Sequence, residues 1–139
     1  MTHAIRIHAT GGPEALQLDD VSLPTPGPGE ALVRHAAIGV NFIDTYHRSG
    51  LYPLPLPSGI GSEAAGVVEA VGPGVTDVAV GQRVAYCGGS PGSYAEARVM
   101  AAERRVAPQG AGAELYLTRL HVSTQGGNFF SGQVHCLID

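Results

Sequence analysis

Gly59, Gly61 and Ala64 stand in the spacing G-x-G-x-x-A within the stretch "GIGSEAAG". In dinucleotide-binding folds such glycines lie between a buried strand and a helix, where backbone N–H groups and the helix dipole hold a pyrophosphate. Here "LPLPS" precedes the motif, and its prolines do not fit a central strand. The following "VVEAVGPGV" contains glycines and β-branched residues that end any helix within a few residues. The context therefore predicts a loop that leads into a β-strand, and not a phosphate site.

Other residue types limit the chemistry further. All eight basic residues are arginines, so neither a Schiff-base lysine nor a Walker-type phosphate lysine is available. No G-x-S-x-G sequence supplies the nucleophile elbow of a serine hydrolase. His121, His135 and Cys136 match no common spacing for a tetrahedral zinc site. Cys87 and Cys136 form no C-x-x-C pair, and we interpret them as reduced thiols.

Short strands joined by turns rich in glycine and proline are expected to position these residues. The stretches "HAIRIHA", "ALQLDDVSL" and "EALVRHAAIGV" have the apolar patterns of strands, and the last ends near Gly39. The stretches "EAAGVVEAV", "VGQRVAYC" and "SYAEARVMAAERRVA" predict three more strands. "NFIDTYHRSG" differs, because Asn41 or Asp44 can begin a short helical turn and Gly50 can end it. The whole pattern predicts a barrel-like, mainly β domain with little helix.

Composition and charge exclude several classes of partner. The chain is 44% hydrophobic and 14% charged, which is typical of a globular protein. A net charge of −4, with no arginine cluster larger than Arg104–Arg105, argues against nucleic acid as a partner. No apolar run approaches the roughly 20 residues that span a bilayer, and "MTHAIRIHAT" lacks the apolar segment of a signal peptide. We therefore expect a cytoplasmic protein with neither a membrane nor a nucleic-acid partner.

Five blocks of the sequence, in this order, resemble one family. They are "HATGGPEAL", "PGPGEALVRHAAIGVNFIDTYHRSGLYP", "GIGSEAAGVVEAVGPGV", "VGQRVAY" and "GSYAEARVM". They are similar to the N-terminal catalytic domain of medium-chain dehydrogenases/reductases, in particular to the quinone oxidoreductase (zeta-crystallin-like) branch, over about residues 1–108. The resemblance implies a mainly β (α+β) fold, a GroES-like, partly open β-barrel with one or two short helices. It also implies hydride transfer from NADPH to a small-molecule quinone or a related electron-poor enone.

The same resemblance implies a domain that works without zinc. Zinc-dependent members of the superfamily carry a cysteine where this chain has Asn41 and a histidine where it has Ser62. Neither an amide nor a hydroxyl is a competent ligand for catalytic zinc, and two cysteines cannot supply the four-cysteine structural site. Glu63 matches the acidic residue beside that histidine, but one carboxylate does not make a metal site. We therefore expect no metal.

The resemblance also assigns candidate site residues. Asn41, Tyr46 and Tyr52 fall on positions that line the nicotinamide and substrate cleft, where an amide and two phenols could donate hydrogen bonds to a quinone oxygen. Asn41 and Ser62 are the candidate contacts to the nicotinamide of NADPH. Structural roles stay open as alternatives: Asn41 as a helix cap, and the two tyrosines as loop packing. For Asp44 a structural hydrogen-bonding role is expected.

One part of the family's architecture has no counterpart in this sequence. Family members also carry a Rossmann domain with a glycine-rich turn for NADPH, and no such turn occurs here. The stretches "ELYLTR" and "FSGQVHCLID" are similar to segments that follow that domain in the family. We therefore expect a barrel at residues 1–108 and a tail at 109–139, which either supplies the C-terminal strands of the same barrel or is unrelated to it.

Two functions stay open on these grounds. In the first, the chain is a quinone oxidoreductase-type catalytic domain, alone or completed by another chain, and it holds NADPH weakly because the pyrophosphate contacts are missing. In the second, it is a non-catalytic GroES-like module, a remnant of the reductase that binds a ligand or oligomerises. In both, apolar surface exposed on the cleft face leads us to expect a homo-oligomer.

Overall fold

The computed structural model of the protein describes residues 1–104 and two strands of the tail. Its secondary structure in this part comprises nine strands, one α-helix and two 3₁₀ helices. The strands are β1 (Thr2–Ile7), β2 (Leu16–Val21), β3 (Glu30–Gly39), β4 (Ser58–Gly59), β5 (Glu63–Val71), β6 (Arg83–Cys87), β7 (Ala97–Ala101), β8 (Leu115–Leu117) and β9 (Val134–Cys136). The helix, α1, spans Phe42–Ser49, and the 3₁₀ helices span Pro13–Ala15 and Ala102–Arg104.

Two antiparallel sheets form the body of the domain. One has the strand order β2-β1-β4, and the other has the order β6-β5-β3-β7. Residues 94–96 join them: Ile5 N–H donates to the Tyr94 carbonyl at 2.7 Å, and His35 N–H donates to the Glu96 carbonyl at 2.8 Å. The sheets do not close into a complete barrel. The prediction of a mainly β, GroES-like and partly open barrel is confirmed.

The core lies between the larger sheet and the segments packed against it. Its central cluster consists of valine and alanine from β3, β5 and β6, one loop and the second 3₁₀ helix: Ala31, Val33, Val68, Val78, Val84 and Ala102. Small side chains suit this arrangement because neighbouring backbones approach closely. A Cβ atom at Gly66 on β5 would overlap the carbonyl of Arg34 on β3, so only glycine fits that position.

The predicted helical turn is a helix of eight residues. The backbone N–H of Asn41 donates to the Asp44 carboxylate at 2.9 Å, which satisfies a donor at the start of α1. Gly50 follows the helix in a left-handed conformation with φ of 85°, and that backbone conformation favours glycine. Of the two starts that the sequence left open, Asn41 and Asp44, the structure has Asn41, and the predicted end at Gly50 is confirmed.

The motif "GIGSEAAG" begins at the last residue of β4, passes through a loop at residues 60–62 and continues into β5. Gly61 has φ of +83°, and a Cβ atom there would overlap the Tyr94 ring and lie 2.5 Å from Ser93 Oγ. A Cβ atom at Gly59 would lie 2.8 Å from the Cα of Gly92. These glycines therefore let residues 59–61 pack against the loop at 92–94, and the prediction of a loop leading into a strand is confirmed.

The tail contributes two short strands. β8 and β9 pair antiparallel with each other, in the register Leu115↔Cys136 to Leu117↔Val134. The rest of the tail lies outside the described residues. In the part of the chain that the structure describes, no helix is long and apolar enough to span a membrane.

Candidate active site

Asn41 lies where β3 gives way to α1. Asn41 is half-buried, and its side-chain Nδ2 donates a hydrogen bond of 2.7 Å to Oε2 of Glu63. The expected role as a helix cap accounts for its backbone, since the backbone N–H is bound by Asp44. The side chain also bonds Glu63, so Asn41 links the start of α1 to the start of β5. One amide N–H remains for other partners.

Asp44 holds this end of the helix in place. It is only 4% exposed, and its Oδ2 accepts hydrogen bonds from Asn41 N–H at 2.9 Å and from the Tyr94 hydroxyl at 2.9 Å. Burial and the hydrogen bond to Asp44 raise the pKa of Tyr94, so its hydroxyl stays protonated and donates. The structural role expected for Asp44 agrees with these contacts.

Tyr46 and Tyr52 form an aromatic pair on the other side of the helix. Their ring centroids are 5.3 Å apart at an interplanar angle of 66°, and Tyr46 makes a second edge-to-face contact with Phe42, also at 5.3 Å. Tyr52 N–H donates to the Tyr46 carbonyl at 3.1 Å, which fixes the loop to the helix. Tyr46 is half-buried, whereas Tyr52 and Phe42 are 49% and 70% exposed. The expected loop packing is thus present, and it leaves aromatic surface open to a ligand.

Ser62 is half-buried and lies directly before β5. Its backbone carbonyl accepts a hydrogen bond from Gly88 N–H at 2.8 Å. Its hydroxyl makes no hydrogen bond to the described residues, so the side chain is available to a ligand. The adjacent Glu63 is buried at 4% exposure and pairs with Gly39 on β3 and with Cys87 on β6. Burial and the charge of Glu63 raise the pKa of the Cys87 thiol, which keeps it protonated at neutral pH.

The structure shows contacts within two parts of the predicted site. Asn41 bonds Glu63, the chain neighbour of Ser62, and the Tyr46 and Tyr52 rings contact each other. Helix α1 belongs to both parts, because Asn41 precedes its first residue and Tyr46 lies within it. No direct contact between the two parts is seen among the described residues. Neutral hydrogen-bonding groups and exposed aromatic rings suit a flat, uncharged ligand with carbonyl oxygens.

A dinucleotide fits this surface only in part. Asn41 and Ser62 offer polar groups to a nicotinamide, but among the described residues no glycine-rich turn lies between a strand and a helix to hold a pyrophosphate. The start of α1 carries the Asp44 carboxylate, which disfavours a phosphate there. Among the described residues there is also no group of three or more His, Cys, Asp or Glu side chains that could hold a metal ion.

Besides Glu63, the half-buried His35 was not predicted from the sequence as part of a polar cluster. His35 Nδ1 lies 2.6 Å from the Ala95 carbonyl, and its Nε2 lies 2.9 Å from the Tyr86 hydroxyl. The guanidinium of Arg98 lies over the Tyr86 ring at 5.7 Å. Burial lowers the pKa of His35, and Arg98 lowers it further. The only indication in the sequence was a histidine within an apolar strand. The corresponding indication for Glu63 was a single carboxylate beside small apolar residues.

Comparison with known proteins adds independent information. Residues 27–116 match the family model of the alcohol dehydrogenase GroES-like domain. The quinone oxidoreductase of Pseudomonas aeruginosa is 57% identical over 107 residues, which are 76% of this chain and 33% of that protein. The 2-haloacrylate reductase of a Burkholderia species is 48% identical over 111 residues, or 76% of this chain and 33% of that protein.

A solved structure matches as well. The crystal structure of Escherichia coli quinone oxidoreductase complexed with NADPH has a TM-score of 0.74 at 45% identity, and the match covers 76% of this chain and 32% of that one. The chain thus spans about a third of the length of the relatives that it matches.

Proposed function

Because the chain belongs to the alcohol dehydrogenase GroES-like domain family and is a domain of the quinone oxidoreductase type, we propose that it binds a small quinone or electron-poor enone for reduction by NADPH. The observation that carries this proposal is the contact between the Tyr46 and Tyr52 rings, which leaves aromatic surface exposed on the helix that Asn41 begins. The names of its relatives support the substrate class, since one is a quinone oxidoreductase and another is a 2-haloacrylate reductase.

The proposed roles follow from residue chemistry. When bound, NADPH supplies the hydride. The free N–H of Asn41 donates to a quinone oxygen and stabilises the negative charge that grows on it. The rings of Tyr46 and Tyr52 contact the flat face of the quinone and orient it. Ser62 offers its hydroxyl to the carboxamide of the nicotinamide. Asn41 and Ser62 replace metal-binding side chains in this proposal, and the reaction uses no zinc.

The incomplete dinucleotide site determines the first experiment. The purified full chain is titrated with NADPH and, in parallel, with reduced nicotinamide mononucleotide, which lacks the adenosine half. Because the described residues offer contacts only to the nicotinamide end, we expect both to bind weakly and with similar affinity. Oxidation of either compound is then followed by its near-ultraviolet absorbance after duroquinone is added. All ring carbons of duroquinone are substituted, which limits addition of the exposed Cys87 thiol.

The outcomes of this experiment separate three possibilities. Similar weak binding and duroquinone-dependent oxidation support a minimal catalytic barrel. Much tighter binding of NADPH than of the mononucleotide would place a pyrophosphate site in residues outside those described. No saturable binding and no oxidation would refute activity of the chain by itself. A dinucleotide-binding domain from another chain would then be needed for catalysis.

The proposal extends to the organisation of the chain, with a barrel at residues 1–108 and a tail at 109–139 that supplies further strands of it. β7 pairs with β3 only over Glu30–Arg34, so the later part of β3 lacks a strand on that side among the described residues. An isolated two-stranded hairpin such as β8–β9 is marginally stable and benefits from a third strand. Slow amide exchange at residues 36–39 in the full chain would support this arrangement, and exchange as fast as in a loop would contradict it.

Exposed apolar surface favours a second candidate function, a non-catalytic module that self-associates. Around α1 and the end of β3 the exposed side chains are Ile38, Val40, Phe42, Leu51 and Tyr52. A shallow apolar cavity of ≈ 570 Å³ adjoins them, lined among others by Leu18 and Val40. Exposed apolar patches commonly mark interaction surfaces, so this proposal includes the homo-oligomer expected from the sequence. The cytoplasmic location expected from the sequence is likewise a proposal.

A further inference from the structure

Glu63 is a carboxylate in a place that normally excludes charge. It opens β5, is 4% exposed, and is followed by Ala64 and Ala65, which are also buried. No arginine or histidine of the described residues forms an ion pair with it. Removing a carboxylate from water is costly unless hydrogen bonds compensate, so the contacts of this side chain require an explanation.

Two neighbours fix the position of Glu63. Its backbone N–H donates to Ser93 Oγ at 3.1 Å, in a buried environment. Its side chain lies across Gly39, where a Cβ atom would come within 2.5 Å of the Glu63 Cδ. The absence of a side chain at Gly39 thus opens the path along which the carboxylate reaches Asn41 Nδ2 at 2.7 Å.

We propose that Glu63 is a positioning residue that fixes which face of the Asn41 amide is presented to a ligand. An ionised carboxylate only accepts hydrogen bonds, so the amide must turn its nitrogen toward Glu63. The second N–H and the carbonyl oxygen are then held in one orientation at the surface. The relevance of this orientation to a quinone rests on the proposed function, whereas the orientation itself does not.

A neutral residue at position 63 would lose this selectivity. The amide of Gln accepts through its oxygen but also donates through its nitrogen, so Asn41 can bind it in either of two flipped orientations.

The orientation is tested by heteronuclear NMR of the Asn41 side-chain amide in the full chain, assigned by its loss in Asn41→Ala. We expect one amide proton, the one bonded to Glu63, to be shifted downfield and protected from exchange, and the other to exchange faster. Glu63→Gln should reduce this protection and the difference between the two protons. The matched control is Glu69→Gln, the same change on the same strand at an exposed residue paired with Arg34. It should leave the Asn41 amide unchanged.

The wild-type exchange rates decide between the outcomes even if Glu63→Gln fails to fold. Two Asn41 amide protons that exchange equally fast in the wild type would overturn the proposal, and so would an unaltered Asn41 signal in a folded Glu63→Gln variant.

A ligand experiment separates this inference from the proposed function. Duroquinone is titrated into wild type, Glu63→Gln and Glu69→Gln. Apparent affinity scales with the fraction of molecules in the competent orientation, so we expect a loss of about two- to tenfold in Glu63→Gln and none in Glu69→Gln. If the NMR results hold but wild type binds no duroquinone, the proposed function fails and the positioning role stands. If duroquinone binds equally to all three, the orientation of Asn41 does not serve this ligand.

Discussion

The hydroxyl of Tyr94 donates a hydrogen bond of 2.9 Å to the carboxylate of Asp44, which lies 50 residues earlier in the chain. This contact joins the loop before β7 to the first turn of α1. The other oxygen of Asp44, Oδ1, is buried without a partner in the structure. The Tyr94 hydroxyl is therefore one of the contacts that hold the first turn of α1 in place, together with the bond between Asn41 and Glu63.

Tyr94→Phe is expected to destabilise the protein because it removes one of the two donors to Oδ2 of a buried carboxylate. Loss of a hydrogen bond to a charged group costs about 1.5 to 3 kcal/mol, which urea-induced unfolding followed by circular dichroism would measure. Tyr52→Phe is the matched control, since Tyr52 is exposed and its hydroxyl has no partner among the described residues. Equal stability of the two variants would show that the Asp44 contact contributes nothing.

His35 is expected to make stability depend on pH near neutrality. Burial lowers its pKa, Arg98 lowers it further, and the Ala95 carbonyl opposes the shift only in part. The folded protein therefore prefers neutral imidazole. The stabilisation is fully present above the ordinary pKa of about 6.5 and is lost as the pH falls below that value toward the lower pKa of the folded state.

Unfolding free energies between about pH 5.5 and pH 7.5 test this prediction around the ordinary imidazole pKa. His35→Gln should flatten the decrease on the acid side, although it also lowers stability at every pH through the lost contact to Tyr86. His8→Gln is the control, because His8 is exposed and pairs with Asp19. If the unfolding free energy of the wild type falls with decreasing pH no more steeply than that of His35→Gln, His35 is not the source of the pH dependence.

Tyr46 should contribute to quinone binding mainly through its ring. Tyr46→Ala removes both the ring and its packing against Tyr52, and we expect the affinity for duroquinone to fall by about tenfold. Tyr46→Phe keeps the ring and should lose less. Titrations followed by NMR give the affinities, and Tyr86→Phe, which alters a buried phenol bonded to His35, serves as the control. An unchanged affinity in Tyr46→Ala would remove Tyr46 from the proposed site.

Gly61 should be required for packing and not for phosphate binding. Gly61→Ala forces a Cβ atom onto the Tyr94 ring at φ of +83°, so we expect a loss of stability of about 3 kcal/mol or more. Gly74→Ala is the matched control, because Gly74 has a similar φ of +78° but open space around it. Thermal unfolding separates the two effects. If the free energy of unfolding falls equally in both variants, backbone strain alone explains the loss and the overlap with the Tyr94 ring contributes nothing.

Phe42 is expected to promote self-association if the apolar surface around α1 is an interface. Its side chain is 70% exposed at the start of the helix, and Phe42→Ser should lower the concentration-dependent mass measured by sedimentation. Val80→Ser is the control, since Val80 is 62% exposed in the turn between β5 and β6. A monomeric wild type at all concentrations would refute the module hypothesis in its oligomeric form.

Local patterns in the sequence predicted much of this fold. The strands follow from alternation and β-branched residues, and the limits of α1 follow from Asn41 and Gly50. Proline before Gly59 and valine after Gly66 were sufficient to reject a phosphate site, because each acts on its own backbone. Resemblance added Asn41, Tyr46, Tyr52 and Ser62 as candidates, and their catalytic and binding roles remain predictions.

Only the tertiary structure decided how those residues are held. Glu63 reaches Asn41 across 22 residues of sequence, Tyr94 reaches Asp44 across 50, and Tyr86 reaches His35 across 51. Such pairs depend on strand register and on irregularities such as those of the β3–β5 pairing, which local periodicity does not specify. The sequence by itself determined the elements and excluded whole classes of chemistry. The orientation of each site residue followed from packing, because a buried polar group is held by whichever partner the fold brings within reach.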